Sequence, residues 1–262
     1  MTSKPINLPF WNIYWTPETT STNDLARQAI QNHPVPWKIF LANRQTKGRG
    51  RKGRTWTSGA GKGLLMSIII PLTDELKPYT TLIPIMAGIS CAETIEWVCS
   101  LPQHSVHIKW PNDIFMSRGK LGGILCELVE CQSGKYVICG IGINLTEHPS
   151  AMPDNRQATD LLLETNQTVP PGRLVGPIRQ SLMCLCQSGY DEISKKFTKR
   201  DMLYNRPVTV QEPALSSGES PQAQIGGVAM GIDTKGALLL NCAGNTINIL
   251  SGTVIHIGER QE

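Results

Sequence analysis

The chain has 262 residues, 40% hydrophobic and 18% charged, which suits a folded globule with one sizeable core and excludes collagen, a coiled coil and a disordered tail. The longest apolar run, residues 64–71, is strand-sized, too short for a membrane span, and the first residues carry no signal-peptide pattern. The net charge of +4 is unevenly spread: nine of the 25 basic residues and none of the 21 acidic ones fall between positions 25 and 73, so the remainder is net negative. So compact a basic segment points to a polyanion, either a nucleic-acid backbone or a nucleotide triphosphate.

In chain order, Ser21, Thr22 and Asn23 offer helix caps, and Leu25, Ala26, Ala29 and Ile30 share one face of a helix ending near His33 and Pro34. Residues 37–43 alternate as a strand, 44–62 form a Gly/Arg loop, and 63–70 read as a buried strand. Ile89, Ala92, Ile95 and Val98 keep helical spacing, which predicts a core helix over 80–99. Strands follow at 106–110, 121–129 and 136–145, with Ser133 and Gly134 turning between the last two. Residues 146–172, with four prolines, make an irregular connection with one helical turn at 160–164, and 173–197 returns to helical periodicity. From about residue 205, five short apolar runs divided by Gly, Ser, Pro and Asn predict a small β-barrel, with Ser216, Ser217 and Gly218 in a loop. The predicted domains are 1–204 and 205–262. The eight cysteines contain no C-x-x-C pair and mostly sit in apolar runs, so they read as buried free thiols in a reducing cytoplasm.

Three segments carry chemistry. Residues 45–56, QTKGRGRKGRTW, interleave glycines that let a ligand approach the backbone with arginines suited to phosphate. The pattern is neither a Walker A loop nor a Rossmann fingerprint. Residues 109–113 (KWPND) and 120–125 (KLGGIL) place Lys109 and Lys120 at the ends of flanking strands, where two ammonium groups can neutralise a carboxylate and a phosphate. Asn112 and Asp113 equally suit a plain turn after Pro111, and Asp113 is a candidate Mg²⁺ contact. Residues 140–144 (GIGIN) form a Gly-interrupted strand, where a ligand or another part of the chain comes close.

Taken in order, S-T-N at 21–23, the Gly/Arg element, K-W-P-N-D, K-L-G-G-I-L and G-I-G-I-N resemble the biotin–protein ligases, and residues 231–240 and 251–254 resemble their C-terminal barrel. The resemblance implies an α+β fold, a class II synthetase-like mixed sheet with packed helices, followed by an SH3-like barrel. It implies biotin contacts at Ser21, Thr22, Asn23, Gln45, Gly48, Arg49, Gly50, Arg51 and Lys120. Nucleotide contacts fall to Arg49, Arg51, Arg54, Lys109, Asn112, Asp113 and Asn144, with Lys120 and Arg51 in catalytic roles and Trp56 either packed beneath the loop or contacting adenine or biotin. The implied activity is Mg²⁺- and ATP-dependent transfer of biotin to a lysine of a biotin carboxyl carrier protein, by a cytoplasmic monomer or weak homodimer that binds neither DNA nor membrane. Only twenty residues precede Ser21, too few for the helix-turn-helix of the regulatory members. The connection after Asn144 brings no Phe, Tyr or Trp before Tyr190 to cover an adenine. Two rival readings are a lipoate–protein ligase, using the same adenylate chemistry, and a nucleic-acid-binding module built on the 44–54 patch.

Overall fold

Residues Gly63–Pro71 are buried along nearly their whole length, which requires a central strand covered on both faces. The computed structural model, which describes residues 6–8, 12–149, 157–211 and 224–259, places them so. In chain order the first sheet contains β1 (Ile6–Leu8), β2 (Ile13–Thr19), β3 (Ile39–Gln45), β4 (Gly63–Pro71), β5 (His107–Lys109), β6 (Asp113–Met116), β7 (Gly119–Cys131) and β8 (Gly134–Asn144). Its spatial order is β1-β2-β3-β4-β8-β7-β6-β5, antiparallel except for the β2–β3 pair. Helix α1 (Thr22–Asn32) makes the crossover between those parallel strands, and the Ser21 hydroxyl caps it by accepting from the Asn23 N–H.

Alternation along β4 sends Leu64, Met66, Ile68 and Ile70 into the large core and Ile69 into a small one beneath α1, with Ala26, Ile30, Phe40, Val129 and Ile138. The large core packs against α2 (Ile83–Cys99), behind which lie α4 (Gly172–Leu185) and α5 (Tyr190–Thr198), after the single-turn α3 (Leu161–Thr165). The apolar stretch Lys77–Cys99 is long enough to cross a membrane, yet 83% of its apolar window is buried inside this fold. The same core continues into a five-stranded antiparallel sheet of β9 (Pro207–Gln211), β10 (Gln224–Ile232), β11 (Leu238–Cys242), β12 (Asn245–Ile249) and β13 (Thr253–Ile257). These are the five runs expected of the C-terminal barrel; the predicted loop at Ser216, Ser217 and Gly218 lies outside the described residues.

Several elements differ from the sequence reading. The helix expected from residue 80 begins as a 3-10 turn, Lys77–Leu82, because Pro84 can occupy only the first turn of α2. The periodicity over 173–197 is two helices, broken at Gly189. Residues 113–116, of which the sequence reading assigns only Asp113, to a turn, form the buried β6, whose four residues are too few to display a period. Strands β1 and β2 carried no signal, since β2 is only partly buried and contains Pro17. Among the cysteines, Cys91, Cys99 and Cys139 are buried, but Cys126, Cys131, Cys186 and Cys242 are half-buried and Cys184 is exposed.

One ion pair locks α2 to the segment that follows α5. Arg200 grips Glu96 through both guanidinium nitrogens, and Glu96 also accepts from the Val106 N–H, with both side chains almost wholly buried. Burial alone would raise the Glu96 carboxyl, but the bonds from Arg200 and Val106 outweigh it and hold the carboxyl below its usual range. Replacing Arg200 by Met should therefore destabilise the fold by about 3–5 kcal/mol, because it strands a buried carboxylate. Urea unfolding would register this as a lower midpoint at unchanged slope. An unchanged midpoint would show that the pair contributes nothing.

Candidate active site

The same period-two alternation that fills the core empties one region of the opposite face. On β7 and β8 it directs Gly123, Gly140 and Gly142 to the α1 side, where neighbouring positions carry Val129 and Ile138. A Cβ at Gly140 would stand 2.3 Å from Asn23 Oδ1, and one at Gly142 would stand 2.6 Å from the Trp56 ring. The glycines thus admit the first turn of α1 and the Trp56 indole to the sheet surface. Beside them opens a cavity of about 410 Å³.

This cavity gathers nearly every residue singled out in the sequence. Ser21, Thr22, Asn23 and Gln45 line it from α1 and β3, and Arg49, Gly50, Arg51 and Arg54 from the loop. Lys109, Asn112, Asp113, Lys120 and Asn144 line it from the β5–β6 corner, β7 and β8. Gly48 is the exception. It is buried behind the wall, where a Cβ would meet the Trp56 carbonyl at 2.3 Å and Gln45 Nε2 at 3.0 Å, so its role is to seat the loop.

The uncharged end is a hydrogen-bonded relay. The Thr22 N–H donates to Gln45 Oε1 at 2.7 Å, and the Thr22 hydroxyl lies 3.1 Å from the same oxygen. Ser67, fully buried on β4, donates to Asn23 Oδ1 at 2.6 Å, and Asn23 Nδ2 donates to Glu127 at 2.6 Å. These contacts fix the amide orientations before any ligand arrives.

The charged end contains six cations, Arg49, Arg51, Lys52, Arg54, Lys109 and Lys120, but Asp113 is its one acidic lining residue among those described. Lys120 and Asp113 pair at 2.6 Å, each side chain 13% exposed, and the ammonium lies 5.9 Å from the centre of the Trp56 ring. Arg51 donates to Asn112 Oδ1 at 3.2 Å, and Asn112 Nδ2 donates to the Ile124 carbonyl at 2.7 Å. Burial pushes the Arg51 guanidinium below its usual range, a shift opposed by the Asp113 charge. Burial together with the charges of Arg51 and Arg54 likewise lowers Lys52, which donates to Thr253 Oγ1 at 2.8 Å.

Arg49 departs from expectation. Its guanidinium is turned to Asp24 at 2.7 Å and Glu127 at 3.6 Å, and Glu127 also pairs with Arg27 at 3.0 Å. The Asp24 hydrogen bond raises the Arg49 pKa, while at Asp24 burial is outweighed by bonds from Arg49 and Thr20, leaving that carboxyl below its usual range. A guanidinium so engaged anchors the loop to α1 and β7. Asp24 and Glu127 were missed in the sequence because isolated carboxylates carry no motif. The barrel's share was also missed: Gly252, Thr253 and Val254 close one wall, Lys109 Nζ donates to the Val254 carbonyl at 3.4 Å, and Trp110 Nε1 to Gly236 O at 2.9 Å. Two lining residues keep open valences, since Trp56 Nε1 and Asn144 Oδ1 are buried without a protein hydrogen-bond partner.

Comparison with known proteins shows the family. Residues 15–144 match the biotin/lipoate A/B protein ligase family, and residues 217–257 match the biotin protein ligase C-terminal domain. The chain belongs to the biotin protein ligase family. It is 26% identical over 92% of its length to a biotin–[acetyl-CoA-carboxylase] ligase of Mycobacterium tuberculosis, covering 87% of that protein. It is 31% identical over 84% of its length to a bifunctional ligase/repressor of Bacillus subtilis, of which it spans 66%. The structure of the Aquifex aeolicus biotin protein ligase in complex with biotin and ATP superposes with a TM-score of 0.72 at 27% identity, covering 93% of this chain and 97% of that one. The Leishmania major biotin protein ligase with biotinyl-5-AMP gives 0.65 at 28% identity, covering 91% and 98%.

If Gly142 is what admits the indole, Gly142→Ala should push Trp56 off the sheet and loosen the 45–56 loop. Limited trypsin digestion would then cut faster between Lys47 and Arg54 than in the wild type. Equal cleavage would contradict this packing account.

Proposed function

We propose that this member of the family is an ATP-dependent biotin–protein ligase that acts through biotinyl-5′-AMP and modifies one lysine of a biotin carboxyl carrier protein. The observation carrying the reading is that a single cavity of ligand size joins an uncharged hydrogen-bonding end, Thr22 and Gln45, to a cluster of six cations. Biotin itself divides in the same way, into polar but uncharged rings and a carboxylate tail.

In this reading Ser21, Thr22, Asn23, Gln45 and the backbone at Gly50 hold the rings, and Lys120 faces the carboxylate. Arg51, Arg54, Lys109 and Asn112 face the phosphates, and Asn144 offers its open amide oxygen to the adenine amino group. Arg49 acts through Asp24 and Glu127, holding the loop in place. The carboxylate oxygen attacks the α-phosphorus, the bond to pyrophosphate breaks, and a mixed anhydride forms. The cations reduce the repulsion between these two anions, and fixed positions replace a chance encounter. A lysine amine of the carrier then attacks the acyl carbon and AMP leaves. The amine proton passes to solvent or to a carboxylate of the acceptor. The loop keeps water from the anhydride until the acceptor arrives.

The Mg²⁺ that accompanies ATP fits a site with one protein carboxylate, since such ions are held largely by phosphate oxygens and water. Asp113 is the candidate, and no group of three or more potential ligands occurs among the described residues. When bound, the ion would neutralise phosphate charge. All eight cysteines are unpaired, which suits a reducing cytoplasm.

The test is biotin-dependent exchange of labelled pyrophosphate into ATP, with lipoate as the competing acid. Exchange with biotin alone is expected, and Lys120→Ala should slow adenylate formation by roughly 10²-fold. Exchange driven by lipoate, or none with either acid, would overturn the assignment.

A further inference from the structure

The Lys120 ammonium, which this reading places against the substrate carboxylate, already has a carboxylate. Asp113 Oδ1 lies 2.6 Å from Nζ, and both side chains are largely withdrawn from water. The pair is built into the sheet: Asp113 opens β6 opposite Gly123, and Lys120 lies in β7 opposite Phe115, with a register shift between the two pairings. Lys120 shares the cavity with five other cations, so without a counter-ion its burial would be costly. Asp113 supplies that counter-ion and also faces the Arg51 charge.

The arrangement leaves space for one more carboxylate. A Cβ at Gly123 would stand 3.5 Å from Lys120 Nζ and 3.6 Å from Asp113 Oδ1, so the missing side chain exposes the pair to the cavity. An anion entering there meets an ammonium that is already neutralised, with a like charge beside it. We propose that Asp113 is a resident competitor for Lys120, standing in for the substrate carboxylate in the empty enzyme and yielding the ammonium when the acid binds. Asp113 thereby sets acid affinity: it holds Lys120 in position between turnovers, and it weakens the grip on the very group that Lys120 recognises.

The inference rests on the cavity's being the biotin site, and the experiment separates the two. Binding of biotin and of biotinol, its uncharged alcohol, is measured by calorimetry without nucleotide for the wild type, Asp113→Asn and Lys120→Met. Asp113→Asn should bind biotin roughly tenfold more tightly, the scale of one charge-assisted bond, with biotinol affinity unchanged. Lys120→Met removes the ammonium and keeps the Asp113 charge beside the substrate carboxylate, so it should bind biotin more weakly than biotinol. Equal or weaker biotin binding by Asp113→Asn, or an equal gain for biotinol, would overturn the proposal by making Asp113 a mere support. If Asp113→Asn loses both ligands through misfolding, the Lys120→Met arm decides, and equal affinity for the two ligands there overturns it. A wild type that binds neither ligand removes the biotin reading and the inference with it.

Discussion

Mutual repulsion among six cations around one cavity is the constraint that shapes this site. Such charges disperse unless each is tied down, because their repulsion grows as water is excluded. The ties come from several elements: Asp24 and Glu127 hold Arg49, Asp113 holds Lys120, Asn112 holds Arg51, and Thr253 holds Lys52. The site is therefore assembled before any anion enters, and an arriving anion meets oriented donors instead of having to gather them. Those ties recruit α1, β7, the β5–β6 corner and the barrel, so the catalytic sheet and the barrel act as parts of one site.

The second constraint is steric. A sheet packed on both faces has no room for a ligand unless side chains are deleted from it. Gly123, Gly140 and Gly142 make that deletion on one face, while Ile124, Ile141 and Ile143 on the other keep the core filled. Stability and recognition are thus divided between the two faces of the same strands. The Glu96–Arg200 lock and the large core lie on the α2 side, so the α1 side can remain hollow.

This division also explains which parts were legible in the sequence. Long buried elements such as β4 and α2, and the five runs of the barrel, declare themselves by local periodicity. The Gly/Arg loop and K-W-P-N-D declare themselves by composition, and all the residues chosen from them except Gly48 line the cavity. The counter-ions were not legible, since a lone Asp24 or Glu127 acquires its meaning only when the sheet brings it to Arg49. Strand β6, sharing only Asp113 with the K-W-P-N-D motif, was too short to declare itself, and Gly252, Thr253 and Val254 gained a place in the site only through barrel docking. Local chemistry was readable; the charges that balance it came from tertiary structure.

The central claim is that one cavity brings a carboxylate and a phosphate together on Lys120. A crystal structure with a non-hydrolysable biotinyl-adenylate analogue, in which a sulfamate replaces the phosphate, tests it most directly. The account predicts the ring system against Thr22 and Gln45, the adenine near Asn144, and the acyl linkage within hydrogen-bond reach of Lys120, withdrawn from Asp113. An analogue bound elsewhere, or bound here with the 2.6 Å Lys120–Asp113 contact intact, would contradict it.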